Sequence, residues 1–531
     1  MLKKQWKSKL GLTLASISLL AAGCQPVGGV DIAKVMSSSH QINSYVGSSA
    51  VSIELIADEA ADPKQKELLA LLSSMKVNIE EAKMQSKTSA SMKGSITYGK
   101  ANIPFKLVIQ DMSYILEIEG ADKPIVLRSY AAGMGGNAPQ LTEAMQEQLE
   151  QLSQRAVEAT PTISSFITGH FPNPSVLKVE PANVQINNES LQLNKVHLEL
   201  NGSELVKLVK QFLLSAIADE QGTKELLAVL YDLYAPLLKE TMKSLGGSSP
   251  QSQGQNDAFL TILNNKKMAV EFMYMYAKQN IEPFVANLDQ TLAMMPIGQS
   301  GATYKQWLDD NQSLKLDLYV DAEHQTRMSA MELLLTLPKT APNGMKALKV
   351  TSESKLWDVN KPVTMDTIST ENGVIEWMNK SGRLSSSKLV TSLDPQSELY
   401  TLLKDQLQIT RKQITLPVPP ASSSQYFFHG PYNDNGTVMV PVRFVTEQLD
   451  AELEWNAAAR QVTITEPLSG SVAVLTLDSK EATVNGQPFM LEKAAVLVQG
   501  STYVPIRFIA ESMNAKVEWS QEMQSVTINR E

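Results

Sequence analysis

The feature that most constrains the fold is a repeat near the end of this 531-residue chain. Residues 440–464 read VPVRFVTEQLDAELEWNAAARQVTI, and residues 504–528 read VPIRFIAESMNAKVEWSQEMQSVTI. At an offset of 64 residues, 11 of these 25 positions are identical. Similarity of this extent predicts one supersecondary unit that occurs twice.

Each copy predicts a strand, a helix and a hairpin. The strand runs into Pro441 or Pro505, and proline suits the first turn of a helix. Trp455 and Trp519 begin the hairpins, where we expect core packing, with stacking on sugars as the alternative. The apolar residues at helical spacing are Val442, Val445 and Leu449 in the first copy and Ile506, Ile509 and Met513 in the second.

Charged residues recur at equivalent positions of the two copies. Arg443 precedes Glu447 by four residues, and Arg507 precedes Glu511 in the same way, which predicts an ion pair on each helix. Binding of an anionic wall polymer is the alternative. The repeated positions that we expect to be structural are Pro441, Arg443, Phe444, Glu447, Trp455, Pro505, Arg507, Phe508, Glu511 and Trp519.

In order and spacing, these motifs resemble the copper amine oxidase N-terminal-like domain, or stalk domain, of bacterial surface proteins. The resemblance covers about residues 430–531 and implies a small duplicated β-α-ββ domain that serves surface or protein contact. In that family the first copy begins with a hairpin of its own. Residues 425–435 depart from this pattern, so we expect the first copy to be incomplete.

The resemblance implies no copper chemistry. In the oxidases, the copper ligands and the quinone-forming tyrosine belong to a separate catalytic domain. The five histidines of this chain are scattered and form no His-x-His pair: His40, His170, His197, His324 and His429. We therefore expect no catalytic residue, no bound metal and no cofactor.

The N-terminus predicts a secretory signal peptide. A head with four lysines precedes an apolar run from Leu10 to Ala22, which is too short to cross a bilayer. Cys24, the only cysteine, follows and resembles the lipobox cysteine of bacterial lipoproteins, although Ala21 replaces the commoner leucine. The resemblance implies cleavage after Gly23, a diacylglyceryl group on Cys24 and a place on the extracytoplasmic face of the cell membrane.

A lipid on Cys24 has physical consequences for the whole chain. Two acyl chains anchor a protein stably, and lipidation also consumes the thiol that a disulfide or a metal site would need. Loss of residues 1–23 removes four lysines and no acid, so the net charge falls from −9 to −13. So acidic a chain lacks the basic surface that nucleic-acid binding needs. It is also repelled by an anionic membrane, so the lipid must provide the anchor.

The region before the stalk predicts an α+β fold. Leu314, Leu316, Leu318 and Val320 alternate with polar residues, as in an antiparallel strand with one buried side. Strand patterns at 51–57, 93–120, 176–186, 191–200, 328–337 and 347–357 surround helical patterns at 141–159, 203–219, 222–245 and 257–295. Strands, inserted helices and strands again favour a large antiparallel sheet rather than a βαβ chain.

This pattern, with SKLWDVNKPV at residues 354–363, resembles the half-barrel of lipoprotein-carrier and lipid-binding envelope lipoproteins. The resemblance implies a curved sheet that wraps apolar helices and holds acyl chains. A cavity lined by Leu107, Ile109, Leu316 and Leu318 would favour ligand binding, whereas a filled core would favour a spacer.

The predicted domain plan follows from these patterns and from changes in composition. Gly/Ser-rich and Pro-rich segments predict a flexible loop and a stiffer linker. The plan is a signal peptide at 1–23, a lipidated tether at 24–29, an α+β domain at 30–414 with a flexible loop at 244–256, a linker at 415–424 and the stalk domain at 425–531.

Two motifs raise the alternative of an enzyme. Ser73-x-x-Lys76 and Ser385-x-x-Lys388 match the acylating serine motif of penicillin-recognising enzymes, but a chain rich in serine and lysine contains such tetrads by accident. A polar cleft that gathered a histidine with two carboxylates would favour a hydrolase.

Three hypotheses of function follow from the sequence. The first is a non-enzymatic lipid-anchored envelope protein that binds an apolar or lipid ligand and contacts an envelope protein or wall polymer through its stalk. The second is a purely structural or adhesion-type surface lipoprotein. The third is an unrecognised hydrolase.

The lipid anchor predicts a clear effect of Cys24→Ser. Because a serine hydroxyl does not take the diacylglyceryl group, the variant should lose palmitate label and leave the membrane fraction. Radiolabelled palmitate and membrane fractionation measure both. A serine variant that stays with membranes, together with an unlabelled parent, would contradict the anchor.

Overall fold

The computed structural model describes residues 26–39, 41–110, 113–128, 143–245, 259–296, 303–337, 344–378, 384–418, 430–498 and 500–530. They form two compact units. The first unit comprises Met1–Ile118 and Arg128–Ile368, and the second comprises Glu119–Leu127 and Ser369–Glu531. The predicted signal peptide, Cys24 and most of the loop at 244–256 lie outside the described residues.

An antiparallel sheet dominates the first unit, which makes the fold α+β as expected. Ten of its strands are hydrogen-bonded in the order β5-β4-β3-β2-β1-β11-β10-β9-β8-β7. They are β1 (Tyr45–Ala57), β2 (Lys76–Ser86), β3 (Ser89–Tyr98), β4 (Ala101–Gln110), β5 (Ser113–Ile118), β7 (Val176–Ile186), β8 (Glu189–Asn201), β9 (Ser313–Val320), β10 (Thr326–Thr336) and β11 (Met345–Trp357). A short strand, β6 (Ile125–Arg128), falls between β5 and β7 in the chain.

Local sequence explains the hairpins and the alternation. Asn187 and Asn188 join β7 to β8 with φ angles of 42° and 64°, which asparagine tolerates better than most residues. In β9, Leu314, Leu316 and Val320 are buried whereas Lys315 is exposed, as the period of two predicts.

One helix of the first unit precedes β1 in the chain, and the others lie between its strands. They are α1 (Ile32–Ser39), α2 (Pro63–Ser73), α3 (Glu143–His170), α4 (Gly202–Ala218), α5 (Glu220–Leu245), α6 (Lys266–Met294) and α7 (Tyr304–Trp307). Asparagine side chains cap two of them: Asn201 accepts a hydrogen bond from the Glu204 amide, and Asn265 accepts one from the Met268 amide.

One buried cluster joins these helices to part of the sheet. It contains Ile32 and Val35 of α1, Phe171 after α3, Leu208 of α4 and apolar residues of β8 and β9. Leu177 and Val179 of β7 and Met331 and Leu333 of β10 pack against the same cluster. Four neighbouring strands therefore turn their apolar side chains toward one core.

Two strands of the sheet approach each other although three others separate them. Cα atoms of β7 and β11 come within 8 Å. Lys361 follows β11 in the chain. The pKa of its ammonium is raised chiefly by a hydrogen bond to Asp358, and the negative charge of Glu189 in β8 adds to the effect.

The second unit contains a parallel strand pair, short helices and three small sheets. Its elements are β6 with β12 (Ile375–Glu376), α8 (Ser386–Thr391), α9 (Glu398–Tyr400) followed by a π-helix (Thr401–Gln406), β13 (Lys412–Pro417), β14 (Tyr432–Asp434), β15 (Thr437–Pro441), α10 (Val442–Gln448), β16 (Glu452–Asn456), β17 (Gln461–Thr465), β18 (Val472–Thr476), β19 (Glu481–Val484), β20 (Gln487–Met490), β21 (Val496–Val498), β22 (Ser501–Pro505), α11 (Ile506–Ser512), β23 (Lys516–Ser520) and β24 (Ser525–Arg530). The three sheets have the orders β13-β24-β23, β14-β15-β22-β21 and β16-β17-β18-β19-β20.

The two sequence copies adopt the same elements in the same order. β15, α10, β16 and β17 form the first copy, and β22, α11, β23 and β24 form the second. β15 and β22 pair antiparallel, with Val440 opposite Val504. The first copy also has a preceding hairpin strand, β14, where the sequence predicted an incomplete start; residues 425–429 of that segment lie outside the described part.

The predicted linker at 415–424 differs from the structure. Residues 412–417 form β13, which pairs with β24 along its whole length, and Leu416 and Val418 enter the core of the second unit. The unit boundary falls between residues 368 and 369 instead. Pro417 misled the prediction, because proline is also tolerated on an edge strand, and β13 is one. Residues 419–424 lie outside the described residues.

Close packing of β3 against β2 predicts that Gly94→Ala destabilises the first unit. A methyl group at Gly94 would overlap the Asn78 carbonyl oxygen and lie 3.0 Å from the Ile79 Cα, so the backbone would have to move. We expect a loss of about 2 kcal/mol in the free energy of unfolding, measured by denaturant titration.

Gly169→Ala is the matched control for this substitution. It lies in α3, where an added methyl group meets no atom within 4 Å, and alanine favours helix. Its stability should be unchanged or slightly raised. Equal stability of both variants would contradict the close approach of β2 and β3.

Candidate binding surfaces

The register of the large sheet places most of its apolar side chains on one side, named here the apolar face. Residues that pair directly across antiparallel strands point to the same side. Val51 of β1 therefore shares a side with Val77 of β2 and, through Ser352 of β11, with Met331 of β10. From β8 and β9 the face continues with Leu198 and Leu316.

The two ends of the apolar face differ in burial. On β8 and β9 the side chains of Val196, Leu198 and Leu316 are buried beneath helices. On β11, β1, β2, β3, β4 and β5 most apolar side chains are only half-buried, and this part is named the half-buried region. Its members are Leu348, Val350, Val51, Ile53, Val77, Ile79, Met92, Ile96, Phe105, Leu107, Ile109 and Leu116.

The four residues proposed to line a cavity are divided between these ends. Leu316 is buried in the filled core, and Leu318 packs against it. Leu107 and Ile109 of β4 belong to the half-buried region. Two of the four residues therefore belong to a filled core, and the other two lie on a partly covered apolar surface.

Small polar residues lie on the apolar face where its two ends meet. Ser49 of β1 and Ser354 of β11 form a hydrogen bond of 2.8 Å between their hydroxyl groups. Ser329 of β10 pairs with Ser354 on the same side. These short side chains leave space above the sheet and add hydroxyl groups to an otherwise apolar surface.

The opposite side of the sheet, named here the polar side, carries most of the charged residues and several ion pairs. Lys83 and Lys93 contact the Asp366 carboxylate at 3.2 and 2.8 Å. The hydrogen bond from Lys93, followed by that from Lys83, keeps the pKa of Asp366 below its ordinary value. Alternation of charged residues with apolar ones in the strands explains why these groups share one side.

A histidine on this polar side contacts two carboxylates. His197 Nδ1 lies 2.6 Å from Asp317 Oδ1, and His197 Nε2 lies 3.1 Å from Glu199 Oε1. Both ring nitrogens are thus occupied, and Lys195 also binds Asp317, at 3.2 Å. The group is an ion-pair network on a strand surface, without a nucleophile beside it among the described side chains.

The serines of the two tetrad motifs serve local structure. Ser73 Oγ accepts a hydrogen bond from the Leu55 amide and donates one to the Leu55 carbonyl oxygen. Ser385 caps α8 by accepting from the Lys388 amide. Neither serine meets His197, which argues against a serine hydrolase built from these motifs.

The described residues contain neither a cluster of metal ligands nor a membrane-spanning helix. No group of three or more histidine, cysteine, aspartate or glutamate side chains there is placed to hold a metal ion. No helix in these ranges combines the length and the apolarity needed to cross a membrane. His40 and His429 lie outside the described residues.

The repeated prolines stand between strand and helix in both copies, and the repeated phenylalanines lie in the helices that follow. Pro441 and Pro505 are buried and stand at the N-caps of α10 and α11, one residue before the predicted first turn. Phe508 is buried against Phe489, whereas its counterpart Phe444 is exposed. The two copies therefore differ in their surroundings although their motifs agree.

The two predicted arginine pairs are not equivalent. Arg443 lies 3.9 Å from Glu447 on the same helix, as expected. Arg507 instead contacts Glu492 at 2.7 Å, a residue from the segment between the copies. Both arginines are exposed, so each pair contributes little to stability.

The two tryptophans are not core residues, and that prediction was wrong. Trp455 is 46% exposed and Trp519 is 45% exposed. Each lies on an edge strand, β16 or β23, and therefore has a neighbouring strand on one side only. Trp519 Nε1 donates a hydrogen bond to Gln521 Oε1 at 2.9 Å. Two aromatic surfaces are thus available for contact at equivalent positions of the copies.

A buried charge network in the second unit was missed from the sequence. Arg530 is 3% exposed and contacts the Glu466 carboxylate at 3.1 Å. It also donates to the carbonyl oxygens of Leu449 and Thr410 and to Ser387 Oγ. Burial lowers the pKa of the Arg530 guanidinium, and the nearby carboxylates oppose this shift.

The network also holds the segment that precedes the stalk. The Asp450 carboxylate accepts hydrogen bonds from the Ser386 and Ser387 amides and pairs with Lys412 of β13 at 2.9 Å. Alternation in β24 could have revealed Arg530, because it follows Val526 and Ile528 on the inward side. Position 530 lies 64 residues after 466, so the ion pair joins equivalent positions of the two copies.

Comparison with known proteins identifies one part of the chain. Residues 421–528 match the family model of the copper amine oxidase N-terminal domain. This match supports the stalk resemblance, and it concerns an accessory domain rather than the catalytic domain of the oxidases. No curated protein matches the chain.

The buried ion pair predicts a large effect of Arg530→Met. The substitution leaves Glu466 buried without its cation, so we expect a loss of about 3 kcal/mol or more in the stability of the second unit. Hydrogen exchange of peptides from residues 440–530 measures this loss. A second variant that combines Arg530→Met with Glu466→Leu should recover much of it.

Arg507→Met is the matched control, because its guanidinium is exposed in an ion pair of similar length. Its effect should stay below about 1 kcal/mol. If both arginine variants behaved alike, the network around Arg530 would not be a major source of stability.

Proposed function

We propose that this protein is a non-enzymatic, lipid-anchored envelope protein whose first unit binds an apolar ligand such as the acyl chains of a lipid. The lipid on Cys24 would hold it at the extracytoplasmic face of the cell membrane. The single observation that carries the proposal is the half-buried region of the apolar face. Six neighbouring strands there present apolar side chains that the chain's own helices cover only in part.

The energetics of this region favour an added apolar partner. Each further square ångström of apolar surface removed from water contributes about 25 cal/mol, so a ligand that completes the burial gains affinity without rearranging the sheet. Ligand pockets in proteins are mainly apolar with a few polar groups that fix orientation. The hydroxyl groups of Ser49, Ser329 and Ser354 are polar groups of this kind beside the half-buried region.

The path of the sheet supports a concave surface. In a flat sheet, four strand spacings of about 4.8 Å would hold β7 and β11 about 19 Å apart. Their Cα atoms approach within 8 Å, and Leu177 and Met331, from β7 and β10, pack on one cluster of the apolar face. These facts favour curvature toward the apolar face, as the half-barrel resemblance implies.

The stalk would make contact with an envelope protein or a wall polymer. Trp455 and Trp519 favour this role because each exposes nearly half of its indole surface. The family match supports an accessory domain and no oxidase chemistry. A purely structural lipoprotein is the second candidate, and the filled core under β8 and β9 favours it.

Lipid bound to the purified protein tests the proposal. Native mass spectrometry of membrane-extracted protein should show co-purified lipid, and cis-parinaric acid should bind the delipidated protein with increased fluorescence. Leu107→Asn should weaken this binding at least about tenfold, because a polar amide replaces an apolar contact.

Lys106→Asn is the matched control, since Lys106 lies next to Leu107 on the opposite side of β4. It should bind the probe like the parent, with circular dichroism confirming that both variants fold. A parent protein that carries no lipid and binds no probe would refute ligand binding and leave the structural role.

A further inference from the structure

The helix α6 is apolar on its solvent side as well as on its buried side. Its buried side contains Val270, Tyr274, Val285 and Leu288. Its solvent side, named the outer face of α6, has an exposed residue at every third or fourth position between 268 and 294, and none of these residues is charged. Its members include Met268, Phe272, Met275, Tyr276, Pro283 and Met294, with alanine and glutamine at the other positions.

Such a face is unusual for a helix of a water-exposed domain. A helix that packs on one side normally carries charged and polar residues on the other. Here the acidic residues Glu271, Glu282 and Asp289 run only along one edge. A depression of about 350 Å³ interrupts the outer face between Phe272, Met275 and Tyr276, with Lys278 and Gln279 at its border. Contiguous exposed apolar surface of this kind marks an interaction site.

The helix α6 is connected through α4 to the region where the chain enters the first unit. Asp289 of α6 binds Lys210 of α4 at 2.6 Å. Leu208 of α4 belongs to the same buried cluster as Val30 and Ile32. α4 thus contacts α6 and shares a buried cluster with the residues at the start of the domain.

The distance from Cys24 to the domain is short. Six residue steps lead from Cys24 to the buried Val30, and an extended chain covers at most about 3.5 Å per step. If Cys24 carries the proposed lipid, the domain entrance lies within about 20 Å of the bilayer. α4, whose Leu208 shares the buried cluster of Val30, and its neighbour α6 are therefore tethered close to the membrane.

We propose that the outer face of α6 docks on the surface of the bilayer beside the lipid anchor. Phenylalanine, tyrosine and methionine suit the interfacial layer of the membrane, where apolar side chains are buried and a tyrosine hydroxyl stays wet. Docking on zwitterionic lipid avoids the repulsion that the acidic chain meets at an anionic surface. The orientation of the first unit on the bilayer rests on the proposed lipid anchor at Cys24. The affinity of the outer face for lipid is a property of α6 itself.

The test uses residues 25–531, which lack both the signal peptide and the lipidated cysteine. Incubation with phosphatidylcholine vesicles should slow hydrogen exchange of peptides from residues 268–284. The double variant Phe272→Glu with Met275→Glu should bind vesicles at least about tenfold more weakly, because two charges enter the apolar contact. Phe272→Trp should have its fluorescence quenched by brominated phosphatidylcholine.

Met523→Glu is the matched control, since Met523 is 66% exposed and Met275 is 60% exposed, but Met523 belongs to the second unit. It should bind vesicles like the parent. Absence of vesicle binding and of protection at α6 would overturn the proposal. A concentration-dependent dimer that the double variant abolishes would assign the face to a second copy and overturn it equally. Failure of palmitate labelling would affect only the anchor, because this test omits it.

Discussion

The register of the antiparallel strands is the constraint on which the first unit depends. Because side chains alternate sides with a period of two, a shift of one residue would move every apolar side chain to the opposite surface. Direct pairs such as Ile53 with Val350 keep apolar residues opposite each other, while Glu332 and Lys349 form ion pairs on the other side. The apolar face and the ion pairs on the opposite side both follow from that alignment.

The proposals for the first unit use different surfaces of one framework. The half-buried region concerns the sheet, and the outer face of α6 concerns a helix whose other side is packed. Both are apolar surfaces that stay partly or fully exposed in this acidic chain. In a protein held at a bilayer the two surfaces can act together. The outer face of α6 would contact the membrane, and the half-buried region would hold a lipid.

Sequence patterns predicted much of the fold because the informative signals were local. The alternation in Ser313–Val320, the turn at Asn187 and Asn188 and the repeated β-α-ββ motif each depend on neighbouring residues. The family match confirms the stalk resemblance over residues 421–528. Cys24 lies outside the described residues, so its lipidation stays a prediction.

The errors concern contacts between residues that are distant in sequence. Trp455 and Trp519 resemble core residues by type, but their exposure depends on which strands lie at sheet edges. The predicted linker at 415–424 begins inside β13, which local sequence does not reveal because its partner, β24, lies more than 100 residues further on. Arg507 pairs with Glu492 rather than with the helix residue that spacing favours. Likewise, only the packing of helices decides which end of the apolar face is filled.

The contact between Glu466 and Arg530 has a consequence for how the stalk can be built. Two identical polypeptides related by a two-fold axis would bring like charges together at this place, either two carboxylates or two guanidinium groups. A single chain that carries both copies can place a carboxylate at position 466 and a guanidinium group at position 530. The two copies are therefore not interchangeable, and two identical copies could not form the same buried ion pair.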